Sequence, residues 1–292
     1  MKEIIDLHMH TTVSDGSETP EELLQTVREK GIRIFAVTDH DAVKGYGILK
    51  DSVSEENLLL LSGVEFSCRD EKGKYHILGY GFDPEAEAVR SVVEKGHSLR
   101  MGKVRARLAF LEKEYHFTFS EKDLETLFGM ENPGKPHIGN MMVKYGYAET
   151  KEKAITQYIN KLHLRSEYIR PEEAIQAVLG GGGIPVLAHP VFGSGDELIM
   201  GEDMDRRLRR LIRYGLQGVE GFYSGYSPKM RSQMLAFADQ YNLYVTAGSD
   251  YHGTNKLVEP GNTGLADVPV IPSGLKRFLA DVKKTGSLKE IM

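Results

Sequence analysis

Residues 5–16 read IDLHMHTTVSDG, a short apolar run that ends in two histidines and is followed by an aspartate. In an extended segment, residues i and i+2 point to the same side. His8 and His10 can therefore reach one metal ion, and Asp15 follows five residues after His10. Whether these side chains form a site depends on what the chain places at the ends of its other strands.

Apolar runs of strand length recur along the chain, and helical patterns separate several of them. Seven runs are predicted as strands: Ile4–Leu7, Ile32–Val37, Leu58–Val64, Tyr75–Tyr80, Ile184–Ala188, Gly218–Phe222 and Leu243–Thr246. The clearest helix begins after Thr19, with Pro20 in its first position and Glu22 in its third, which predicts a capping box. Alternating strands and helices favour a mostly parallel sheet, and seven strands favour an α/β barrel with its chemistry at the carboxyl ends of the strands.

The alternation stops between about Asp83 and Ile169, where the pattern is helical throughout. The predicted helices are Ala86–Glu94, His97–Tyr115, Glu121–Phe128, His137–Tyr145 and Lys151–Leu162. We therefore predict a catalytic barrel formed by residues 1–82 and 170–292. Residues 83–169 are predicted to be an inserted all-helical cap that recognises the substrate.

The composition limits the kinds of partner. The 292 residues are 40% hydrophobic and carry a formal net charge of −5, so no general basic field favours long nucleic acid or an anionic membrane. The N-terminal residues lack the apolar core of a signal peptide, and no apolar run is long enough to span a bilayer. A single cysteine, Cys68, fits a reducing compartment. We expect a soluble cytoplasmic protein, whose oligomeric state the sequence leaves open.

Six of the ten histidines lie at an end of a predicted strand or just after it, and four acidic residues lie near them in the sequence. The histidines are His8, His10, His40, His76, His189 and His252, and the acids are Asp15, Asp39, Glu65 and Asp250. A histidine that only packs in a core has no reason to prefer one rim of a barrel. Imidazole and carboxylate ligands without thiolate suit Mn, Fe or Zn in an open site. Because the donors outnumber one coordination sphere, we expect two or three divalent metal ions.

Six motifs resemble those of a known family. They are HxHTxxSDG at His8–Gly16, TDHD at Thr38–Asp41, GVEFS at Gly63–Ser67, HILGY at His76–Tyr80, AHP at Ala188–Pro190 and GSDYHG at Gly248–Gly253. Together, and in this order, they resemble the PHP (polymerase and histidinol phosphatase) phosphoesterases. The resemblance implies a distorted seven-stranded (β/α)7 barrel that holds a di- or trinuclear metal centre.

The resemblance also implies how the ligands divide among the metals. His8, His10, Glu65 and Asp250 would hold the first metal, and Asp15, His40 and His252 would hold the second. Glu65 would bridge to a third metal that His76 and His189 complete. Asp39 is either a further ligand or a partner that orients a ligand histidine. The catalytic group would be a metal-bound hydroxide held by Asp15, Glu65 and His252.

The predicted cap offers candidate substrate contacts. Arg100 and Arg105 lie on a basic helix, for which a solvated surface is the alternative interpretation. Lys135 and His137 open another helix, whose N-terminus favours anions. The capped subgroup of the family has Arg-Pro-His at this place. Lys135 keeps the positive charge of that arginine but cannot form its two parallel hydrogen bonds to a phosphate. Tyr226, after the sixth predicted strand, is a substrate contact or a packing residue.

We therefore expect a metal-dependent phosphatase for a small phosphorylated substrate, a nucleotide such as a nucleoside 3′,5′-bisphosphate. One alternative is a 5′-3′ exonuclease that acts on short RNA or DNA with the same metals. A second is histidinol phosphatase, and a third, from a different class, is a non-catalytic metal-binding regulatory module. The last alternative is disfavoured because all nine ligand positions are filled.

Overall fold

The computed structural model describes residues 4–53, 57–163, 167–193 and 198–285. The strands are β1 Ile4–Asp6, β2 Ile32–Ala36, β3 Leu59–Leu61, β4 Gly63–Asp70, β5 Gly73–Tyr80, β6 Ile184–Leu187, β7 Gly218–Tyr223 and β8 Tyr244–Gly248. The helices are α1 Pro20–Glu29, α2 Lys44–Leu49, α3 Glu87–Tyr115, α4 Glu121–Phe128, α5 Lys135–Lys144, α6 Lys151–Lys153, α7 Pro171–Gly180, α8 Gly201–Arg213, α9 Pro228–Gln240 and α10 Ser273–Thr285. The predicted mixed α/β class is confirmed.

The described strands form two sheets, not the single closed seven-stranded barrel that the sequence suggested. One sheet has the order β1-β2-β3 and the other has the order β4-β5-β6-β7-β8. All neighbours are parallel except β5, which runs antiparallel to β4 and β6. Isolated bridges join His40, beyond the end of β2, to Glu65 in β4, and Met9, beyond the end of β1, to Tyr251, beyond the end of β8, so the two sheets approach each other at two places.

The run Leu58–Val64, predicted as one strand, belongs to two strands in different sheets. The chain leaves β3 after Leu61 and enters β4 at Gly63. Between them, Ser62 turns its hydroxyl to donate a hydrogen bond of 2.6 Å to the carbonyl of Phe82. Hydrophobicity alone does not reveal this break, because the sequence is apolar just before and just after Ser62 and Gly63. The described strands therefore number eight instead of seven.

The first helix begins as predicted. The Thr19 hydroxyl accepts a hydrogen bond of 3.2 Å from the Glu22 amide, and the Glu22 carboxylate accepts one of 2.8 Å from the Thr19 amide. This reciprocal pair satisfies two amides that the helix itself leaves without partners. The helix packs Leu23, Leu24 and Val27 against the sheet that begins with β1.

Residues 87–161 are mostly helical, and we call them the helical insert. It contains α3 to α6, a π-helical turn at Ala154–Tyr158 and a 3-10 turn at Ile159–Lys161. Val89 and Val92 at the start of α3 belong to the main core. Most of the other buried apolar side chains form a cluster of their own: Val104, Leu111, Leu127, Ile138, Met141, Met142, Ala154 and Ile159. The two helices predicted at 86–94 and 97–115 are one continuous helix, α3. At Gly96 that helix passes so close to Asp41 that a Cβ would lie 2.8 Å from the aspartate's own Cβ.

The helical insert reaches the loops that carry the histidines. The Asn132 side-chain amide donates a hydrogen bond of 3.0 Å to the His40 carbonyl, and the Asn132 backbone amide donates one of 3.1 Å to the carbonyl of Val13. The insert therefore contacts the loops after β1 and β2. Among the described residues, no helix has both the length and the apolar character needed to cross a membrane.

Candidate metal centre

The nine ligand positions predicted from the sequence come together in the structure. The loops after β1, β2, β6 and β8 carry His8, His10, Asp15, His40, His189, Asp250 and His252, and strands β4 and β5 carry Glu65 and His76. Glu65 and His76 lie inside their strands, not at strand ends as the sequence suggested. The antiparallel pairing of β4 with β5 places His76 opposite Ser67, beside Glu65.

Glu65 lies at the centre of the cluster with its side chain 1% exposed. Its Oε2 lies within 3.3 Å of ring nitrogens of His8, His10 and His40. Its Oε1 lies 2.8 Å from His76 Nδ1 and 3.1 Å from His189 Nε2. The two oxygens thus face two different groups of histidines, which is the arrangement that a carboxylate bridging two cations requires.

A second group surrounds Asp15. Its Oδ1 lies 3.3 Å from His252 Nε2, and its Oδ2 lies 3.9 Å from His40 Nε2. His10 joins this group, since its ring stacks on that of His252 with centroids 4.1 Å apart. One donor atom from each of these four side chains lies within 4.8 Å of the others. The predicted division into separate ligand sets is therefore less sharp in the structure, because His10 can serve two sets.

Glu220, which the sequence analysis did not identify, orients two of the histidines. It is fully buried in β7, and its Oε1 accepts a hydrogen bond of 2.9 Å from His8 Nδ1. Its Oε2 accepts one of 2.7 Å from the backbone amide of His189. A carboxylate on Nδ1 leaves Nε2 as the metal-binding atom of His8. A glutamate within the otherwise apolar run GVEGFY was the available signal.

The histidine nitrogens that face the centre fit a bound cation. His8 Nε2 and His10 Nε2 are buried and have no hydrogen-bond partner, although each lies within 3.5 Å of a Glu65 oxygen and an Asp250 oxygen. Nitrogens and oxygens therefore converge without the geometry that would let them bond to one another. A buried polar atom without a partner is costly. Imidazole and carboxylate donors suit Mn, Fe or Zn, so the residues present fit the divalent ions that the sequence predicted.

Burial and neighbouring charges act in opposite directions on the pKa values of the clustered side chains. Burial raises the pKa of the Asp15 carboxyl, but the charges of His40 and His252 outweigh burial and hold that pKa well below its usual range. Burial lowers the pKa of His10, but the neighbouring carboxylates outweigh burial and raise it to about 9. Burial dominates at His40 and lowers its pKa to about 3. Neighbouring imidazoles of one cluster thus have pKa values shifted in opposite directions.

Backbone conformation and close packing also position the ligands. Asp250 and His189 both have positive φ, 59° and 25°, a conformation that residues other than glycine rarely adopt. Gly248 lies so close to His8 that an added Cβ would be 2.3 Å from the histidine Cβ. Such strain persists where the surroundings hold it, and functional sites are common places for it.

Asp39 orders a loop and does not face the cluster of donor atoms. It accepts hydrogen bonds of 2.8 Å from the Thr11 amide and hydroxyl, and one of 2.7 Å from the Ser14 hydroxyl. The Ser14 hydroxyl also lies 3.4 Å from His10 Nδ1. Among the described residues Asp39 belongs to none of the possible ligand groups, which favours the second of its two predicted roles.

A cavity of about 370 Å³ opens onto the cluster. Asp15, His40, Glu65, His76, His189, Asp250 and His252 form its floor. The helical insert contributes Pro136, Lys151, Glu152 and Ile155 to its wall, and the turn after β8 contributes Asn255 and Lys256. The sequence analysis missed both lysines, because a lysine at the start of a helix or in a polar loop is usually solvated.

The two residues of α3 that were predicted to contact the substrate, Arg100 and Arg105, have different surroundings. Arg100 is nearly buried, and its NH2 donates hydrogen bonds of 2.7 Å to Asp41 Oδ2 and 3.1 Å to the Ser67 hydroxyl. Arg105 is exposed and lies over the ring of Phe128, 5.4 Å from its centroid. Neither arginine lines the cavity. Their roles in substrate binding stay predictions.

The other predicted contacts also lie outside the cavity lining. Lys135 Nζ donates a hydrogen bond of 2.6 Å to Asn160 Oδ1 at the surface. His137 caps its own helix, since its Nδ1 accepts a hydrogen bond of 2.9 Å from the Gly134 amide. Tyr226 is buried, and its hydroxyl accepts a hydrogen bond of 3.3 Å from the Val191 amide. Packing, the second interpretation of Tyr226, matches these surroundings.

The chain is similar to several characterised bacterial enzymes. A phosphoribosyl 1,2-cyclic phosphate 1,2-diphosphodiesterase of Eggerthella lenta is 28% identical, over 86% of this chain and 94% of its own length. The 5′-3′ exoribonuclease Rnm of Salmonella typhimurium is 28% identical, over 88% of each chain. A 3′,5′-nucleoside bisphosphate phosphatase of Chromobacterium violaceum is 26% identical, over 85% of this chain and 87% of its own length.

The fold and the sequence profile agree with these similarities. A crystal structure from Bifidobacterium adolescentis, described as that of a metal-dependent phosphoesterase, superposes with a TM-score of 0.81 and 27% identity. The superposition covers 98% of this chain and 97% of that one. The profile of the PHP domain matches residues 6–169, more than half of the chain. The chain therefore belongs to the PHP-domain family and is a metal-dependent phosphoric ester hydrolase.

Proposed function

We propose that this enzyme hydrolyses a phosphomonoester of a small metabolite, namely a nucleotide such as a nucleoside 3′,5′-bisphosphate. The observation that carries this choice is the cavity of about 370 Å³, whose wall includes Lys151, Ile155 and Pro136 of the helical insert. A cavity of this size is typical of sites for small molecules. The similarity to the Chromobacterium violaceum bisphosphate phosphatase also supports the choice.

We propose the nine predicted donors as ligands of two or three divalent ions, Mn, Fe or Zn. Such ions supply hydroxide from water at neutral pH and neutralise charge on the phosphoryl oxygens. The chain's own contribution is to hold the donors in place, with Glu220 fixing His8 and Asp39 fixing the loop that carries His10 and Asp15. Asp15, Glu65 and His252 would surround the attacking oxygen, since all three border the cavity.

The proposed division of labour assigns catalysis to residues 1–82 and 170–292 and substrate recognition to residues 83–169. The apolar cluster of the helical insert supports this division, because most of the insert packs on itself and only the first part of α3 joins the main core. The contacts of Asn132 and Arg100 with the loops after β1 and β2 would fix the insert over the metal ligands.

A second candidate is a 5′-3′ exonuclease that acts on short RNA or DNA. A cleft of about 700 Å³, lined by Tyr223, Tyr251, Lys256 and Leu257 among others, adjoins the metal cavity and has room for further nucleotides. The similarity to exoribonucleases supports the same alternative.

The two candidates are tested by phosphate release from a substrate panel with added Mn²⁺. The panel contains nucleoside 3′,5′-bisphosphates, mononucleotides, histidinol phosphate, cyclic phosphodiesters and short 5′-phosphorylated oligonucleotides. We expect the highest kcat/KM for a bisphosphate, with inorganic phosphate and a mononucleotide as products. If only the oligonucleotides react and mononucleotides accumulate, the exonuclease is correct and the phosphatase proposal is wrong.

A further inference from the structure

The turn after β8 places one lysine between the metal cavity and the neighbouring cleft. Of the described residues, Lys256 alone lines both the cavity of about 370 Å³ and the cleft of about 700 Å³. Its side chain is 34% exposed. The nine proposed donors are assigned to metal ions, and the departing oxygen of the ester also needs a proton or a positive charge, which a cation at this boundary can supply.

Three hydrogen bonds hold the turn that carries Lys256. Asn255 Nδ2 donates one of 3.0 Å to the Asp15 carbonyl, and the Thr254 amide donates one of 2.8 Å to the Ser17 hydroxyl. From the helical insert, Lys151 Nζ donates one of 3.1 Å to Asn255 Oδ1. The turn is therefore tied both to the loop of Asp15 and to the insert, which fixes the start of the Lys256 side chain relative to the metal ligands.

The contacts of the Lys256 ammonium leave one donor for a substrate. Nζ contacts Asp250 Oδ2 and donates a hydrogen bond of 3.0 Å to the Tyr223 hydroxyl. An ammonium group has three N–H donors, so the third can face the cavity that Lys256 lines. The other oxygen of the same carboxylate, Oδ1, lies 3.5 Å from His8 Nε2 and 3.4 Å from His10 Nε2. A carboxylate shared with a metal neutralises the lysine only in part.

We propose that Lys256 is a catalytic residue whose third N–H binds the leaving oxygen of the ester. This inference rests on the proposed phosphomonoesterase function and names the residue that would stabilise the leaving group of that reaction. The P–O bond to the attacking water oxygen forms as the P–O bond to the leaving oxygen breaks. The electron pair of the broken bond passes to that oxygen, whose negative charge the ammonium stabilises. The attacking water gives up one proton to the solvent, the leaving oxygen takes up one proton from the solvent, and the products are the alcohol and inorganic phosphate.

The direction of the leaving group follows from the two cavities. The metal ligands form the floor of the smaller cavity, so the phosphoryl group belongs there. The rest of the substrate must extend from it, and the larger cleft lies directly beyond Lys256, with Tyr223, Ser224 and Tyr251 in its wall. The oxygen that joins the two parts of the substrate would then cross the boundary at the lysine.

The test compares the best ester of the panel with its analogue in which sulfur replaces the leaving oxygen. Because a thiolate leaves without help, Lys256→Met should reduce kcat/KM about 100-fold for the oxygen ester and about fivefold or less for the sulfur ester. Lys256→Arg should restore part of the loss. The control is Lys276→Met, because Lys276 is exposed on α10 and lines neither the cavity nor the cleft. The control should match the wild type on both esters.

Bound metal is measured in every variant by elemental analysis. An equal loss of kcat/KM on the two esters, or a loss of bound metal in Lys256→Met, would overturn the inference, because the lysine would then act through Asp250. Failure of the proposed function looks different, since the wild type itself would hydrolyse no monoester, and this inference would fall with it.

Discussion

Both carboxylate oxygens of Glu65 face imidazole nitrogens, with Oε2 towards the histidines of the first two loops and Oε1 towards His76 and His189. These ligand types were predictable because histidines and acids recur in the loops that follow apolar runs. Glu220 and Lys256 were not, because their roles depend on contacts between residues far apart in sequence, which neither residue type nor spacing reveals. At the residue scale, the sequence therefore identifies metal ligands better than their partners.

Glu220 offers a test of how the metal ligands are held. Glu220→Gln weakens the acceptor that fixes His8 Nδ1 and removes a negative charge beside it. We expect the affinity for metal to fall about 10- to 100-fold while the fold is kept. Calorimetric titration with Mn²⁺ measures the affinity, and circular dichroism checks the fold. Unchanged affinity in a folded variant would show that His8 does not need this partner.

Metal binding should release protons because His10 has a raised pKa of about 9 in the metal-free chain. Below that pH the imidazole holds a proton that a metal must displace. The affinity for metal should therefore rise with pH, by up to about tenfold per unit for each proton displaced, and level off near pH 9. Titrations in buffers of different ionisation enthalpy count the protons. An affinity that does not change between neutral pH and pH 9 would contradict this account.

At the scale of elements, α3 connects the helical insert to the loop after β2. The sequence identified the insert because a helical pattern interrupts an alternating one. It divided α3 in two, since glycine usually marks a helix end, whereas Gly96 here makes room for Asp41. The break between β3 and β4 was missed because the run Leu58–Val64 is apolar on both sides of it. The type of an element was thus predictable where a hydrophobic periodicity extends over many residues. The boundaries of an element were not predictable where tertiary contacts decide them.

Arg100 and Arg105 look alike in sequence, and the structure separates them. Arg100→Met leaves the buried Asp41 without its cation, so the free energy of unfolding should fall by about 3 kcal/mol. Arg105→Met removes an exposed contact with Phe128 and should cost less than about 1 kcal/mol. Urea denaturation measures both variants. Equal losses would mean that the Arg100–Asp41 pair does not anchor α3.

At the scale of the whole molecule, the two sheets meet at two places, and the candidate metal centre includes residues at both. The bridge between His40 and Glu65 marks one place, and the bridge between Met9 and Tyr251 marks the other, beside His8, His10 and Asp250. The sequence predicted the α/β class and the helical insertion. It did not predict two sheets in place of one closed barrel, because pairing between sheets depends on twist and register, which single runs do not encode.

The most direct test of the central claim is phosphate release from a nucleoside 3′,5′-bisphosphate before and after chelation of bound metal. The account predicts that turnover disappears on chelation and returns when Mn²⁺ is restored. It also predicts that Asp15→Ala and His252→Ala, which each remove a proposed ligand, stay inactive with Mn²⁺ present. Full turnover after complete metal removal, or wild-type turnover in both variants, would contradict the assignment of this cluster as a catalytic metal centre.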